Sequence, residues 1–164
     1  MIINWLFGLV AWFRQLWDRL DEKTKRQIIE TVVKAFEELL RAFYRKWKSQ
    51  RNKWGKNMSS FEEFMNEAES SPTKTLPASN TSLSAIETSL TSAISSLLTP
   101  FSVPIDKKQE FSEKVSNLVR DEEFISEFSD CIGMPSELET EDEFVERGNS
   151  VLREMLYARF GIKG

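Results

Sequence analysis

The sequence predicts an all-α protein, and three observations support that prediction. Apolar residues recur every three or four positions over long stretches, which is the spacing of one face of an α-helix. The chain has only 6 glycines and 5 prolines in 164 residues, few for a β-sandwich or a loop-rich barrel. Runs of alternating polar and apolar residues, which are typical of strands, are absent from the sequence.

A helical hairpin is predicted at the N-terminus. Residues 2–20 and residues 25–54 each carry a long apolar face, and a short polar break separates them. Thr24 with Gln27 fits a capping box for the second helix, and Gly55 predicts its end. Apolar positions in the second helix recur about every 3.5 residues. The predicted hairpin core consists of Ile29, Val33, Phe36, Leu40, Phe43 and Trp47.

A linker and a second helical part are predicted after the hairpin. Ser59 and Ser60, each followed three residues later by a glutamate (Glu62 and Glu63), are expected to cap a short acidic helix. Residues 70–80 contain two prolines and no apolar periodicity, which is typical of a linker. We therefore divide the chain into an amphipathic αα-hairpin that serves as an association module (1–57), a short acidic helix with a Ser/Pro-rich linker (58–80), and a small acidic helical bundle (81–164).

Four helices are expected in the C-terminal bundle. The first carries a Ser/Thr-rich polar face and ends at Pro100. Residues of the capping type mark the starts of the other three: Asp106, Asp121 and Thr140 with Glu143. Glycines mark the ends of the last two: Gly133 and Gly161. Gly148 lies on the apolar face of the last helix, where it would permit a neighbouring helix to approach closely.

The net charge of −4 conceals an uneven distribution. Residues 1–56 contain 13 basic and 6 acidic residues, whereas residues 101–164 contain 8 basic and 15 acidic residues. A basic first third and an acidic remainder predict either docking within one chain or head-to-tail association of copies.

The composition argues against an enzyme. Histidine, the commonest general base and metal ligand, is absent, and no glycine-rich phosphate-binding loop occurs. The single cysteine, Cys131, lies near an apolar helix stripe and is expected to be a small buried hydrophobe. We expect no cofactor, no metal site and no small-molecule substrate. One cysteine and the lack of a signal-peptide pattern favour a reducing, cytoplasmic-type compartment, with a membrane-peripheral location as the alternative.

The N-terminal segment is the most unusual part of the chain, because all five tryptophans lie in the first third. A two-helix hairpin has one mutual interface, so it cannot enclose aromatic side chains that point around most of a helix. Each large apolar side chain left in water forgoes about 1.5–3 kcal/mol. We therefore expect the segment to bind a partner. The predicted interface anchors are Trp5, Leu9, Trp12, Phe13 and Trp17.

A basic stretch rich in aromatic residues follows in the second helix. Its predicted contact residues are Arg41, Arg45, Lys46, Lys48, Arg51 and Lys53. The favoured interpretation is that these cations are solvated or meet acidic segments of the same protein. Binding to anionic lipid headgroups and binding to a nucleic-acid backbone remain the alternatives.

These features predict a non-catalytic helical assembly or adaptor protein. It would self-associate, or dock on a larger complex such as a virion or another particle, through its aromatic hairpin. The first alternative is a membrane-active or peripheral membrane protein whose N-terminal amphipathic helix inserts at the bilayer interface. The second alternative is a nucleic-acid-binding protein that uses the basic stretch.

Overall fold

The computed structural model describes residues 11–54 and 59–161, and the side chains of residues 14–50 and 59–161. These residues form seven α-helices, which confirms the predicted all-α class. The helices are α1 (Ala11–Arg19), α2 (Glu22–Trp54), α3 (Phe61–Ser70), α4 (Leu83–Leu97), α5 (Ile105–Ser116), α6 (Glu122–Ile132) and α7 (Glu141–Phe160). A short 3-10 helix, Asn117–Arg120, joins α5 to α6.

Hydrogen bonds confirm several predicted helix ends. At the start of α3, the Ser60 hydroxyl accepts the Glu63 N–H at 3.2 Å, and the Glu63 carboxylate accepts the Ser60 N–H at 2.9 Å. Thr140 and Glu143 form the same reciprocal pair at the start of α7. Gly161 follows α7 with a φ of 71°, a backbone conformation that other residues rarely adopt. Two further predicted boundary residues are confirmed at α6, Asp121 and Gly133.

Two predicted caps are wrong. The first is Thr24. A cap at Thr24 would start the helix at residue 25, but α2 begins at Glu22, three residues earlier. The carboxylate of Asp21 accepts the Thr24 N–H at 3.2 Å, so Asp21 caps the helix and Thr24 lies within its first turn. The second is Asp106, because α5 begins at Ile105 after Pro104 and has no side-chain cap. Asp106 instead lies in the first turn, where its charge favours the helix dipole.

The long helix α2 forms the centre of the described structure. Its most extensive contacts are with α7 and α4, and α3 adds a smaller one. The Phe36 ring lies 5.9 Å from that of Phe124 and 5.8 Å from that of Phe128, so α6 also reaches it. All six residues predicted as the hairpin core are buried: Ile29, Val33, Phe36, Leu40, Phe43 and Trp47. They are buried largely against helices from the C-terminal part of the chain.

The crossing of α2 and α7 depends on a glycine. A Cβ atom added at Gly148 would lie 2.7 Å from Cδ1 of Leu40, a distance that side chains do not tolerate. Leu40 is fully buried and has little room to move aside. Gly148 therefore permits α7 to approach α2 closely. This agrees with the prediction made from the position of Gly148 on the apolar face of the last helix.

One hydrophobic core contains residues from all three predicted segments. Leu16, Leu76 and Phe160 belong to the same buried cluster. The predicted linker (70–80) is held in place, because the Leu76 N–H donates to Thr81 O at 2.8 Å. The predicted boundaries between the segments remain predictions, but no break in the core marks them.

The expectation that Cys131 is buried is wrong, because Cys131 is exposed. The buried face of α6 includes Ser129 as well as Phe124, Phe128 and Ile132. Because Ser129 is buried, the centre of this face lies closer to Ser129 than the apolar residues alone indicate. Cys131 therefore lies at the edge of the face.

Candidate interaction site

The helix α1 is attached to the bundle by its last two turns. Leu16, Trp17 and Leu20 are buried, and the indole of Trp17 is only 2% exposed. The Trp17 Nε1–H donates to the carbonyl of Phe160 at 3.1 Å, and the two ring centroids lie 4.5 Å apart. The Phe111 ring stacks on the same indole, with the two ring centroids 6.5 Å apart. α1 thus docks against α5 and the C-terminal end of α7.

The predicted interface anchors fall into two groups. Trp17 packs within the chain in this structure and therefore presents no surface to a partner. Trp5 and Leu9 lie outside the described residues. Trp12 and Phe13 belong to the backbone of α1, but their side chains also lie outside the described part. The role predicted for these four anchors remains a prediction.

The basic residues of α2 meet the start of α7. Arg41 Nη1 donates to Glu141 Oε2 at 2.8 Å and to Asp142 Oδ1 at 2.9 Å. Arg45 donates to both Glu141 oxygens, at 2.9 and 3.0 Å, and to the carbonyl of Ala78 at 3.0 Å. Glu141 and Asp142 lie in the first turn of α7, where the helix dipole favours their negative charge. This arrangement agrees with the favoured interpretation, in which the cations meet acidic segments of the same chain.

The electrostatics of this cluster favour the charged forms of Glu141 and Arg41. Burial alone would raise the pKa of Glu141, but the hydrogen bonds from Arg45 and Arg41 outweigh it and hold that pKa below its ordinary value. The hydrogen bond from Glu141, followed by that from Asp142, raises the pKa of Arg41. Glu141 and Arg41 therefore remain charged partners throughout the neutral pH range.

The other basic residues are only partly accounted for by contacts. Lys46 Nζ lies 3.1 Å from Glu67 Oε1 on α3, and Lys48 is exposed to solvent. The side chains of Arg51 and Lys53 lie outside the described residues. Three of the six predicted contact residues, Arg41, Arg45 and Lys46, thus have acidic partners within the chain.

The described surface offers few other binding features. Within residues 14–50 and 59–161, the exposed large hydrophobic residues are Ile105, Met134 and Leu138. The described part holds no group of three or more Cys, Asp or Glu residues arranged to bind a metal ion. Among its helices, none is both long enough and apolar enough to cross a membrane.

The clefts of the described part are open and shallow. One of about 630 Å³ lies between the C-terminal half of α2 and the loop before α7, and Tyr44, Trp47 and Leu138 line it. Another of about 550 Å³ lies between α4 and α5 and is lined by hydroxyl and carboxylate groups such as Thr91 and Glu113.

Sequence reasoning missed one surface feature, the exposure of Leu138. The residue follows a proline and a serine in an acidic stretch, and that turn-like context was its only signal. Comparison of the chain with protein-family models, curated proteins and solved structures gives no significant match.

Proposed function

We propose that this chain is a non-catalytic assembly or adaptor protein whose N-terminal segment, residues 1–13, binds a protein partner. The partner is a second copy of the chain or a subunit of a larger complex. The observation that supports the proposal best is the anchoring of α1. Trp17 fixes the helix to the bundle shortly after the apolar segment ends.

The described part of the bundle exposes few large apolar side chains. Most of them are enclosed in one core, and the exposed ones are Ile105, Met134 and Leu138. Residues 1–13, by contrast, contain no charged residue and include two of the five tryptophans. Aromatic side chains commonly dominate the energy of protein interfaces. The segment is therefore the strongest candidate for the contact.

The ion pairs of α2 favour a protein partner over a lipid headgroup or a nucleic acid. Binding to phosphate requires cations that can release their counterions and contact the phosphates. Arg41 and Arg45 already contact Glu141, and Lys46 already contacts Glu67. A phosphate ligand would have to displace these carboxylates, which lowers the gain from binding.

The proposal can be tested on the full chain with the N-terminal variant Trp5→Ser/Leu9→Ser/Trp12→Ser. We expect light scattering to give a multiple of the chain mass for the wild type and the single-chain mass for this variant. Ile105→Ser is the matched control, because Ile105 is 83% exposed at the start of α5 and belongs to another helix. Equal masses for the wild type and the N-terminal variant would refute self-association.

Liposome flotation separates the protein and membrane alternatives. We expect the wild-type chain to remain with the soluble fraction in the presence of vesicles of mixed anionic and zwitterionic lipids. Flotation that the N-terminal variant abolishes would instead support the peripheral membrane function. A gel shift with DNA or RNA at low salt would support the nucleic-acid function.

A further inference from the structure

A joint of two residues, Leu20 and Asp21, connects α1 to α2. Residues 11–54 contain neither glycine nor proline, so the joint holds no strong helix breaker. Buried residues keep helical intervals of three or four positions through the joint: Trp17, Leu20, Thr24 and Ile28. The sequence is therefore compatible with one continuous helix across a joint that is bent in this structure.

The bend is stabilised by Asp21 and costs backbone hydrogen bonds. The Asp21 carboxylate accepts the Thr24 N–H at 3.2 Å, a cap that forms only when α2 starts anew. Two separate helix ends leave the last carbonyls of α1 and the first N–H groups of α2 without partners inside their own helices. A continuous helix would pair these groups with each other. Straightening the joint thus exchanges one cap for several backbone bonds.

The surface that holds α1 is built by other helices. This α1 seat consists of Phe111 on α5 and Phe160 on α7, which contact Trp17 through its ring and its N–H. A straight joint would lift Trp17 out of the seat of its own chain and leave both apolar surfaces in water. The α1 of a second copy can fill the vacated seat with the same contacts, because it is the same helix.

We propose that two copies of this chain exchange α1 and form a closed, two-fold symmetric dimer. In this dimer both joints are straight, and Trp17 of each copy donates to Phe160 O of the other. The seat contacts are equal in the monomer and the dimer, so the joint and the protein concentration decide between them. The Asp21 cap favours the monomer, whereas the added backbone bonds favour the dimer. The exchange does not depend on a contact made by residues 1–13.

The test refolds the full chain from urea over a concentration series, in the N-terminal variant background so that residues 1–13 cannot contribute. Sedimentation then measures the dimer fraction. Glu22→Pro fits the bent joint, because Glu22 is the first residue of α2 and proline is favoured there, but it breaks a continuous helix. We expect it to lower the dimer fraction about tenfold or more. Glu22→Ala is the matched control and should stay close to its parent.

Asp21→Ala acts in the opposite direction. It removes the cap of α2 and places a good helix former in the joint, so the dimer fraction should rise about fivefold. Hydrogen exchange detects the straight joint directly. In the isolated dimer, the amides of Glu22 and Lys23 should exchange more slowly than in the monomer, because they gain carbonyl partners in α1. These two measurements decide the outcome if Glu22→Pro lowers the melting temperature.

Three results would overturn the proposal: equal dimer fractions for Glu22→Pro and Glu22→Ala, no dimer of Asp21→Ala at any refolding concentration, or a dimer whose joint exchanges as fast as that of the monomer. Failure of the contact made by residues 1–13 would be seen separately, as an unaltered mass of the N-terminal variant relative to the wild type in light scattering without refolding.

Discussion

The helices α1 and α2 are adjacent in sequence but attached to the protein in different ways. α2 is buried along most of its length, from Ile28 to Trp47, and its contacts with α7 and α4 form the core. In its described part, α1 relies on Leu16 and Trp17 and on one hydrogen bond to Phe160. α2 therefore maintains the fold, whereas α1 connects the fold to the apolar segment that precedes it.

The largest expected effect comes from removing a ring beside α2. Phe36→Ala deletes a fully buried side chain that packs edge-on against Phe124 and Phe128. We expect the free energy of unfolding to fall by about 3–5 kcal/mol, because a cavity remains after the ring is lost. Urea unfolding followed by circular dichroism measures it, with Ile105→Ala as the exposed control. A loss below about 1 kcal/mol would contradict the central position of α2.

The next effect tests the crossing of α2 and α7. Gly148→Leu places a side chain where only a hydrogen atom fits against Leu40. We expect a loss of about 1–3 kcal/mol from overpacking. Ser150→Leu, on the exposed face of α7, should change the unfolding free energy by no more than about 0.5 kcal/mol. Equal behaviour of the two variants would show that the helices do not approach closely at Gly148.

A smaller and local effect is expected at α1. Trp17→Phe keeps a ring in the core but removes the N–H that donates to Phe160 O. The expected cost is about 1 kcal/mol, the usual net value of one hydrogen bond. Hydrogen exchange should become faster in α1 and stay unchanged in α2. Faster exchange in both helices would show that α1 is an integral part of the core and would remove the contrast between them.

The smallest effect concerns the ion pairs of α2. The arginines hold the pKa of Glu141 below its ordinary value of 4.5, so the carboxylate stabilises the folded state above that pH. This contribution is lost as the pH falls through the lowered pKa. Glu141→Gln should cost about 0.5–1 kcal/mol at pH 7, and the cost should shrink as the pH falls through the lowered pKa. A cost that does not change as the pH falls would indicate that the pairing with Arg41 and Arg45 adds no stability.

Local features of the fold could be predicted from the sequence. The capping pairs of Ser60 and Thr140 were correct because each cap is formed by residues three positions apart. The start of α2 was wrong because Asp21 and Thr24 are both good capping residues, and local sequence cannot choose between them. Cys131 was wrong for a related reason, since a buried serine shifted the inner face of its helix.

Long-range features could not be predicted in the same way. Arg41 meets Glu141, 100 residues away, and Trp17 meets Phe160, 143 residues away. Charge distribution indicated that a basic and an acidic part would attract each other, but it could not identify the pairs. Helical periodicity likewise indicated that α2 has an apolar face without showing which helices cover it.

The central proposal is that residues 1–13 form a protein contact on a bundle whose large apolar side chains are, in the described part, mostly enclosed in one core. Hydrogen exchange of the full chain at low and high protein concentration tests it most directly. We predict that exchange in residues 1–13 slows as concentration rises, while exchange in α2 and α7 stays the same and the N-terminal variant shows no change. Exchange in residues 1–13 that is independent of concentration, in a chain that remains monomeric throughout, would contradict the account.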